Sequence, residues 1–312
     1  MIRRPPRSTQ SRSSAASDVY KRQKFNIACD VISDQERLAY PTESMGTLLE
    51  CLNQRDVKLI SIEKLSVEIL SNYKSEDTLI FCVNCKWILS SEMINMFPGR
   101  VFNYHNSALP EQRGAACHSW RIMQSIKFTR LTIHEVSSGI DKGKVYIETK
   151  VEFDKSISNL AQTYQFTSSR EVELFSNFLK GNCKPLDQLE GGSYYWPKLS
   201  TEVNGYIDWS WSAKEIVAFC NAFDKPFDGA STFLMGSRVR LCNVIITDIE
   251  YSFHPFQAGL IYRVSESDIY IATRQGGICV KELKLNKNIN IREGLRFVTP
   301  ADVLFSALTT QV

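Results

Sequence analysis

The stretch VFNYHNSALPEQRG, residues 101–114, joins a short apolar strand to a polar turn and guides the interpretation of the whole chain. Its first residues have the β-branched and aromatic character of a buried strand. Asn103 and His105 stand two apart near the end of that strand, and side chains two apart in a strand point to the same face. The stretch therefore aims an amide and an imidazole at one point, just before a turn that contains Pro110.

The segments on both sides of this stretch alternate between strand-like and helix-like patterns. Short apolar runs rich in β-branched residues predict buried strands, and apolar residues at helical spacing predict the helices between them. Such alternation favours an α/β fold, a Rossmann-like domain whose mostly parallel sheet is covered on both faces. In open sheets of this kind ligands bind beyond the carboxyl ends of the strands, where residues 101–114 are expected to lie. The predicted strands are 25–33, 57–62, 77–84, 99–107, 130–136 and 144–153, and the predicted helices are 42–54, 90–97, 117–126 and 157–181.

A second, smaller domain is predicted in the carboxyl-terminal part of the sequence. A loop-like passage with a Gly-Gly pair and a proline comes first. An amphipathic helix is predicted at 207–223, and the short strands after it are separated by turn residues, a pattern typical of a small β-barrel. The predicted parts are an α/β domain over 24–185, a linker over 186–205 and a β-barrel-like domain over 206–312.

The first 23 residues differ from the rest, because arginine, serine and proline dominate them and leave little with which to build a core. A disordered basic tail and a transit peptide fit this composition, but the stretch also resembles a translated sequencing adapter, and we favour that interpretation as an artefact. It holds six of the 37 basic residues and one of the 34 acidic residues, so the remainder carries 31 and 33, a net charge of −2 in place of +3. The basic balance of the whole sequence is therefore no sign of a nucleic-acid partner.

The remaining composition predicts a folded, soluble protein. The chain has 312 residues, 43% of them hydrophobic, which is enough to fill real cores. No apolar run reaches the about 18 residues of a membrane helix, and no signal peptide is recognised. Nine scattered cysteines, mostly among apolar neighbours, are typical of reduced thiols in a cytoplasm. Cys82 and Cys85 have the spacing of a redox or metal-binding pair, but a single pair in an apolar strand favours simple packing.

A carboxylate is available in the turn of the stretch HEVSSGIDKGKV, residues 134–145. Asp141 stands there between Gly139 and Gly143. An amide and an imidazole aimed together suit a developing oxyanion, and a carboxylate nearby can orient the imidazole or relay a proton. The residues alone leave two interpretations open: a catalytic site, or a strand-end cap, a surface histidine and a turn aspartate.

Three segments of the chain share their order and spacing with a known family. They contain Asn103, His105, Ser107, Leu109 and Pro110; then Thr132, Ile133, His134, Gly139, Ile140, Asp141 and Gly143; and, upstream of both, Trp87 to Ser90. On these residues the chain resembles the formyltransferases that use N10-formyltetrahydrofolate, a group that includes the glycinamide ribonucleotide, methionyl-tRNA and sugar amine enzymes. The resemblance covers roughly residues 25–250. Residues 194–210 and 221–233 look like the entry to the carboxyl-terminal domain of methionyl-tRNA formyltransferases.

This resemblance implies formyl transfer to a primary amine by a catalytic domain over 24–185, with N10-formyltetrahydrofolate as co-substrate and no metal. Asn103 and protonated His105 would stabilise the oxyanion, while Asp141 would hold His105 charged and help to move the proton of the amine through a water. The residues expected to bind the folate are Trp87, Ile88, Leu89, Val136, Ser138, Gly139 and Ile140. The residues expected in the substrate loop are Ser107, Leu109, Pro110 and Arg113.

The chain departs from the family pattern at three places, one of which is Arg130, where relatives have a glycine near the site. Most relatives have proline after the motif histidine, whereas this chain has Asn106, a combination similar to the sugar-modifying branch. The family also opens with a strand and a helix before the strand that 25–33 resembles, so this first unit is expected to be missing. A catalytically silent binding module is the alternative to an enzyme.

The acceptor amine is expected to be small. Residues 33–46, where methionyl-tRNA enzymes carry a basic loop, hold one arginine and several acids, which suits phosphate contacts poorly. We therefore expect a nucleotide-linked amino sugar, with methionyl-tRNA as the alternative, no nucleic-acid or membrane partner, and room for a homodimer. Tyr194, Tyr195 and Trp196 fit either stacking on a nucleobase or packing at the domain junction.

Overall fold

The structure is a computed structural model that describes residues 27–39, 41–42, 46–54, 57–154, 156–189, 191–247, 252–266, 268–285 and 289–311. The segment 1–23, expected to be an artefact or a disordered tail, lies outside the described residues, and so do residues 24–26. The expectation of a missing first strand-helix unit concerns the same part of the chain and is not tested by the described residues.

The chain divides into two compact units. Unit 1 comprises the described residues up to Cys117, together with Phe128–Phe153 and Gln162–Trp196, and unit 2 comprises His118–Lys127, Asp154–Ala161 and Pro197 onward. The segments His118–Lys127 and Asp154–Ala161, which the sequence assigns to the first domain, thus belong to unit 2. The domain boundaries 24–185, 186–205 and 206–312 stay a prediction.

The elements up to Trp196 alternate between strands and helices as the sequence predicts. Strands begin where β-branched and aromatic residues concentrate, and several helices begin at a Ser or Thr whose side chain accepts a backbone N–H, such as Ser66, Ser90 and Thr47. The strands are β1 Asp30–Ser33, β2 Pro41–Thr42, β3 Gly46–Thr47, β4 Lys58–Ser61, β5 Ile80–Val83, β6 Val101–His105, β7 Gln112–Gly114, β8 Phe128–Glu135, β9 Val145–Glu152 and β10 Tyr194–Trp196. The helices are α1 Gln35–Leu38, α2 Leu48–Asn53, α3 Val67–Ser71, α4 Ser91–Asn95, α5 Cys117–Met123 and α6 Leu160–Leu179.

The strands of unit 1 form several sheets whose pairing is mixed. β1 pairs in parallel with β4, and β5 pairs in parallel with β6, as an α/β fold requires. β6 pairs with β8, and β8 with β9, in the antiparallel sense, giving a four-stranded sheet in the order β5-β6-β8-β9. The short connection between β8 and β9 allows only an antiparallel pair. The predicted fold class is confirmed, with more antiparallel pairing than the sequence indicates.

Helix α6 covers one face of this four-stranded sheet with aromatic side chains. Phe178 packs against Phe102 with ring centroids 4.9 Å apart, and Phe175 packs against Tyr104 at 5.4 Å. Phe102 and Tyr104 are 3% and 5% exposed, so both even-numbered side chains of β6 are committed to this core. Because strand side chains alternate, Asn103 and His105 point to the opposite face.

An open groove of about 760 Å³ runs between β1 and β5. All four residues of β1 and all four of β5 line it. Since successive strand side chains point to opposite faces, a cavity that touches every residue of a strand runs along the edge of that strand. Among the residues that the structure describes, β1 and β5 each pair on one side only, with β4 and with β6. The groove therefore separates two strand edges.

Unit 2 is built on an antiparallel sheet that curls towards closure. Its strands follow the order β13-β14-β15-β12-β11-β16, and a bridge between Leu260 and Arg296 joins the segments just before the two outermost strands. The curled sheet confirms the predicted β-barrel-like fold of this part. The strands are β11 Ala230–Leu234, β12 Ser237–Thr247, β13 Ile261–Ser265, β14 Asp268–Ala272, β15 Gly277–Leu285 and β16 Phe297–Val298, and the helices are α7 Ala213–Phe223 and α8 Ala301–Thr309, with a short 3₁₀ turn at Pro255–Gln257.

The helix predicted at 207–223 is shorter than the sequence indicates. It begins at Ala213, because Ser212 forms a capping box with Glu215. The preceding Trp209 is buried instead, and its indole N–H donates to Thr232 Oγ1 at 2.9 Å. An apolar residue that binds the sheet in this way cannot also continue the helix.

Replacement of Phe175 by alanine tests the packing that fixes β6. Phe175 is 2% exposed, and we expect F175A to lower the free energy of unfolding by about 3–5 kcal/mol. Phe166 lies on the same helix and is 38% exposed, so F166A is the matched control, with a smaller expected loss. Urea denaturation of both variants measures the difference, and equal losses would contradict the packing described.

Candidate active site

Asn103 and His105 lie at the carboxyl end of β6. Asn103 is half-buried and stands opposite His134 of β8, while His105 is 6% exposed and stands opposite Thr132. The strand ends at His105 and the chain turns into β7. The two side chains share one face, as the sequence predicts, because Phe102 and Tyr104 occupy the other.

Asp141 reaches this face from the turn between β8 and β9. Its backbone is left-handed, with φ +51°, and Gln188 Nε2 donates to the carbonyl of Asp141 at 2.8 Å and to that of Gly143 at 2.7 Å. A side chain at Gly143 would stand 1.8 Å from the carbonyl oxygen of Glu135, so the turn accepts only glycine there. These contacts fix the position of the carboxylate.

The carboxylate of Asp141 gathers the other polar groups around itself. Oδ2 accepts the backbone N–H of Gly114 at 2.8 Å and lies 3.7 Å from His105 Nδ1. Oδ1 accepts from Asn103 Nδ2 at 3.4 Å and lies 3.4 Å from His134 Nε2. The structure therefore brings the three predicted catalytic residues together, and their catalytic roles remain a proposal.

Contacts of Nε2 orient the ring of His105. Nε2 lies 2.7 Å from the carbonyl oxygen of Gln112 and 2.7 Å from Ser107 Oγ. A carbonyl can only accept, so Nε2 carries a proton in the neutral ring. A second proton then binds at Nδ1, which faces Asp141, and the charged ring places its new N–H beside the carboxylate.

The ionisation of this pair favours opposite charges. Burial lowers the pKa of His105, but the neighbouring Cys117 sulfur and the Asp141 carboxylate outweigh it, and the pKa is raised above its ordinary value. For Asp141, burial raises the pKa, but hydrogen bonding to His134 and Gly114 and the charge of His105 together lower it to about 2. Near neutral pH the carboxylate is ionised, and it favours the charged form of the imidazole.

His134 of β8, opposite Asn103, is a further member of the site. Its Nδ1 lies 2.8 Å from the carbonyl oxygen of Glu135, the backbone partner expected for a histidine inside a strand. Nε2 lies 3.1 Å from Asn103 Nδ2, and the side chain is 2% exposed. Nε2 also lies 3.4 Å from Asp141 Oδ1, so the ring borders both the Asn103 amide and the carboxylate.

The residues expected to bind folate divide into half-buried and exposed members. Leu89 and Val136 pack against one core cluster of Leu70, Phe97 and Val101, so they support the segments on which they lie. Ile88 is 87% exposed and Ile140 52% exposed, while Ser138 is exposed and Trp87 and Gly139 are half-buried. The segments 87–89 and 136–140 thus rest on a shared core and present apolar side chains to solvent.

The residues expected in the substrate loop are held more tightly than a flexible loop would be. Ser107 and Leu109 are buried, and Ser107 Oγ donates to the Gln112 carbonyl at 2.9 Å, beside the His105 ring. Pro110 is half-buried and follows a cis peptide bond. Arg113 Nη2 donates to Gln188 Oε1 at 2.8 Å, the same amide that holds the Asp141 turn. The sequence does not single out Gln188 or the Gly114 N–H, because each acts through a contact distant in the chain, nor Gln112, which contributes a single backbone carbonyl.

The part of the chain that the structure describes has neither a metal-binding cluster nor a membrane-spanning helix. Within those ranges, no group of three or more His, Cys, Asp or Glu side chains is arranged to hold a metal ion. No helix in the same ranges is long and apolar enough to cross a membrane.

Substitution of Asp141 by asparagine tests the ionisation of the site. The folded pKa of about 2 lies below the ordinary value of about 3.9, so ionised Asp141 contributes about 2 kcal/mol of stability above about pH 4. This contribution is lost as the pH falls from about 4 towards 2. We expect urea denaturation to show that wild type exceeds D141N near neutral pH and loses this advantage in that window. D187N, whose wild-type carboxylate is 84% exposed, is the control, and the same pH profile in both variants would refute the assignment.

Known proteins match this chain in sequence. The family model described as formyl transferase matches residues 8–179, and the one described as formyl transferase, C-terminal domain, matches residues 199–296. A methionyl-tRNA formyltransferase from Akkermansia muciniphila is 30% identical over 227 residues, covering 70% of this chain and 71% of that protein.

Two solved structures are similar in fold. An N-formyltransferase from Helicobacter canadensis, solved with folinic acid and dTDP-3-aminofucose, has a TM-score of 0.62 at 16% identity over 86% of this chain and 95% of its own. HypX from Aquifex aeolicus has a TM-score of 0.57 at 21% identity over 92% of this chain and 49% of its own, so this chain spans about half of that protein. With the amino-terminal family model matching more than half of its length, the chain belongs to the formyl transferase family, enzymes that transfer a formyl group from N10-formyltetrahydrofolate.

Proposed function

We propose that this chain formylates the primary amine of a nucleotide-linked amino sugar, with Asn103, His105 and Asp141 as its catalytic residues. The observation that carries the proposal is the convergence of these three side chains on one face at the end of β6. The choice of acceptor rests on the aromatic and charged residues described below.

Each side chain has a task that fits its environment. N10-formyltetrahydrofolate supplies the formyl group that the amine receives. Asn103 donates an amide N–H towards negative charge that develops on an oxygen at this face, and the charged ring of His105 adds electrostatic stabilisation from behind. Ionised Asp141 keeps His105 charged and helps to move the proton of the amine through a water molecule. The contact of Asn103 Nδ2 with Asp141 Oδ1 orients the amide, and His134 stands beside both groups.

The folate would lie against the segments 87–89 and 136–140. Ile88 and Ile140 present exposed apolar side chains of the kind that a pterin ring covers. The backbone groups of the same segments offer donors and acceptors for the polar edge of the ring. Leu89 and Val136 anchor both segments to one core, which keeps these backbone groups in place.

Two exposed tyrosines support a nucleotide-linked acceptor. β10 pairs in parallel with β7, so Tyr194 and Tyr195 lie beside Gln112 and Arg113. Their side chains are 67% and 62% exposed, which supports stacking on a nucleobase over packing at a junction. Gly114, the last residue of β7, donates its N–H to Asp141. The ribbon formed by β7 and β10 therefore contacts the carboxylate directly.

The charges near α1 speak against a nucleic-acid acceptor. Arg37 forms an ion pair with Asp34 at 2.9 Å, and Lys86 forms another with the same carboxylate at 3.2 Å. The two cations thus share one buried acid, which reduces the positive charge available to phosphates in the region where a basic loop would bind them. Methionyl-tRNA remains the second candidate, because the relative at 30% identity is a methionyl-tRNA formyltransferase.

Replacement of Asn103 by alanine tests the catalytic assignment. Loss of one oxyanion donor is expected to lower kcat about 100- to 1000-fold, measured as tetrahydrofolate release in the presence of an amino sugar nucleotide. H105A is expected to lose at least as much, because it removes the charged ring. H254A is the control, since His254 is exposed and lies in unit 2. Unchanged turnover in N103A would remove Asn103 from the mechanism, and no turnover with any amine in wild type would favour a silent binding module.

Replacement of Tyr194 and Tyr195 by alanine tests the acceptor class. Loss of one stacking side chain costs about 1–3 kcal/mol, so KM for a dTDP- or UDP-linked amino sugar should rise about 5- to 150-fold. F305A, which removes an exposed aromatic of α8, is the control. Wild-type turnover with methionyl-tRNA and with none of the amino sugars would establish the second candidate instead.

A further inference from the structure

Cys82 and Cys85 are brought together by a backbone turn at the end of β5. Cys82 lies on the strand opposite Asn103 of β6, and Asn84 then adopts a left-handed conformation with φ +48°. This residue bends the chain, and the thiols of Cys82 and Cys85 lie close enough for each to shift the pKa of the other. Both residues line the open groove between β1 and β5. The apolar strand predicts simple packing in a core, but neither Cys82 nor Cys85 is buried.

The two thiols differ in a way that suits stepwise exchange. The hydrogen bond from Cys82 and the charge of Arg37 lower the pKa of Cys85 to about 7, against the effect of burial. The same hydrogen bond and burial raise the pKa of Cys82. Cys85 is also the exposed member and Cys82 the half-buried one. The outer thiol is thus the nucleophile, and the inner one is placed to react second.

We propose that Cys82 and Cys85 form a reversible disulfide by exchange with a small-molecule disulfide, such as oxidised glutathione. The Cys85 thiolate attacks one sulfur of the small molecule, breaks its S–S bond and releases one thiolate, which takes up a proton. Cys82 then loses its proton and attacks Cys85 Sγ, which breaks the mixed disulfide and releases the second thiolate. The two protein thiols give up two electrons and two protons in total, and the small disulfide becomes two thiols.

The disulfide removes one contact of the segment that follows. Cys85 Sγ donates to the carbonyl of Trp87 at 3.4 Å, and the indole N–H of Trp87 donates to the Glu63 carbonyl at 3.2 Å. Trp87 opens the segment 87–89, so oxidation releases one of the contacts that hold the expected folate site. This consequence, unlike the disulfide itself, rests on the proposed function.

The test follows the thiols directly. The full chain, reduced and then exposed to oxidised glutathione, is alkylated, digested and weighed by mass spectrometry. Wild type should lose alkylation at both Cys82 and Cys85 and retain no bound glutathione. C82S should stop with one glutathione on Cys85, and C85S should react far more slowly. The wild-type rate should rise with pH through about 7 and then level off. Buried Cys220 and Cys242 serve as internal controls.

Other outcomes overturn the proposal. A stable glutathione adduct on Cys85 in wild type would show that Cys82 does not resolve it, and equal reaction of C82S and C85S would remove the assigned order. In a separate assay, oxidation should raise KM for N10-formyltetrahydrofolate, and dithiothreitol should reverse the change. If the disulfide forms but KM for N10-formyltetrahydrofolate does not rise, only the link to folate is refuted. A protein that is inactive in both redox states would count against the proposed function.

Discussion

The two-residue alternation of β6 is the constraint on which the site depends. Phe102 and Tyr104 are committed to the aromatic core under α6, and this leaves the opposite face to Asn103 and His105. A shift of β6 by one residue would expose two aromatic side chains and bury an amide and an imidazole without partners. The hydrophobic core therefore sets the direction of the polar groups from the opposite face of the strand.

The second requirement is a largely buried carboxylate that polar groups surround. Asp141 is positioned by its left-handed backbone, by Gly143 and by the amide of Gln188. It accepts from the Gly114 N–H and stands near two imidazole rings. An ionised carboxylate in such a place is stable only while its partners stay in position. The turn, the ribbon of β7 and β10 and the end of β6 are thus coupled through one charge.

Sequence predicts the parts of this arrangement that follow from local pattern. The alternation of β6, the strand at 130–136 and the helix at 157–181 all arise from short-range periodicity, and the structure confirms them within a few residues. The proximity of Asp141 to β6 could not be read from spacing, and only the family resemblance indicated it. Gln188 and Gln112 were missed because a single amide or carbonyl carries no pattern. The start of α7 was misplaced because a buried tryptophan before it resembles one more helical residue.

The groove between β1 and β5 also bears on how unit 1 comes apart. The residues around β1 and β4 enclose a small core of their own, with Leu38, Leu48, Leu52 and Val57, while the residues behind β5 and β6 enclose another, with Leu70, Phe97 and Val101. Among the described residues no strand joins the two sheets by a hydrogen-bond ladder across the groove. Cooperativity in a sheet passes through such ladders and through a shared core. The β1–β4 part can therefore open as a foldon of its own, with faster amide hydrogen exchange, while the strand that carries Asn103 and His105 stays folded.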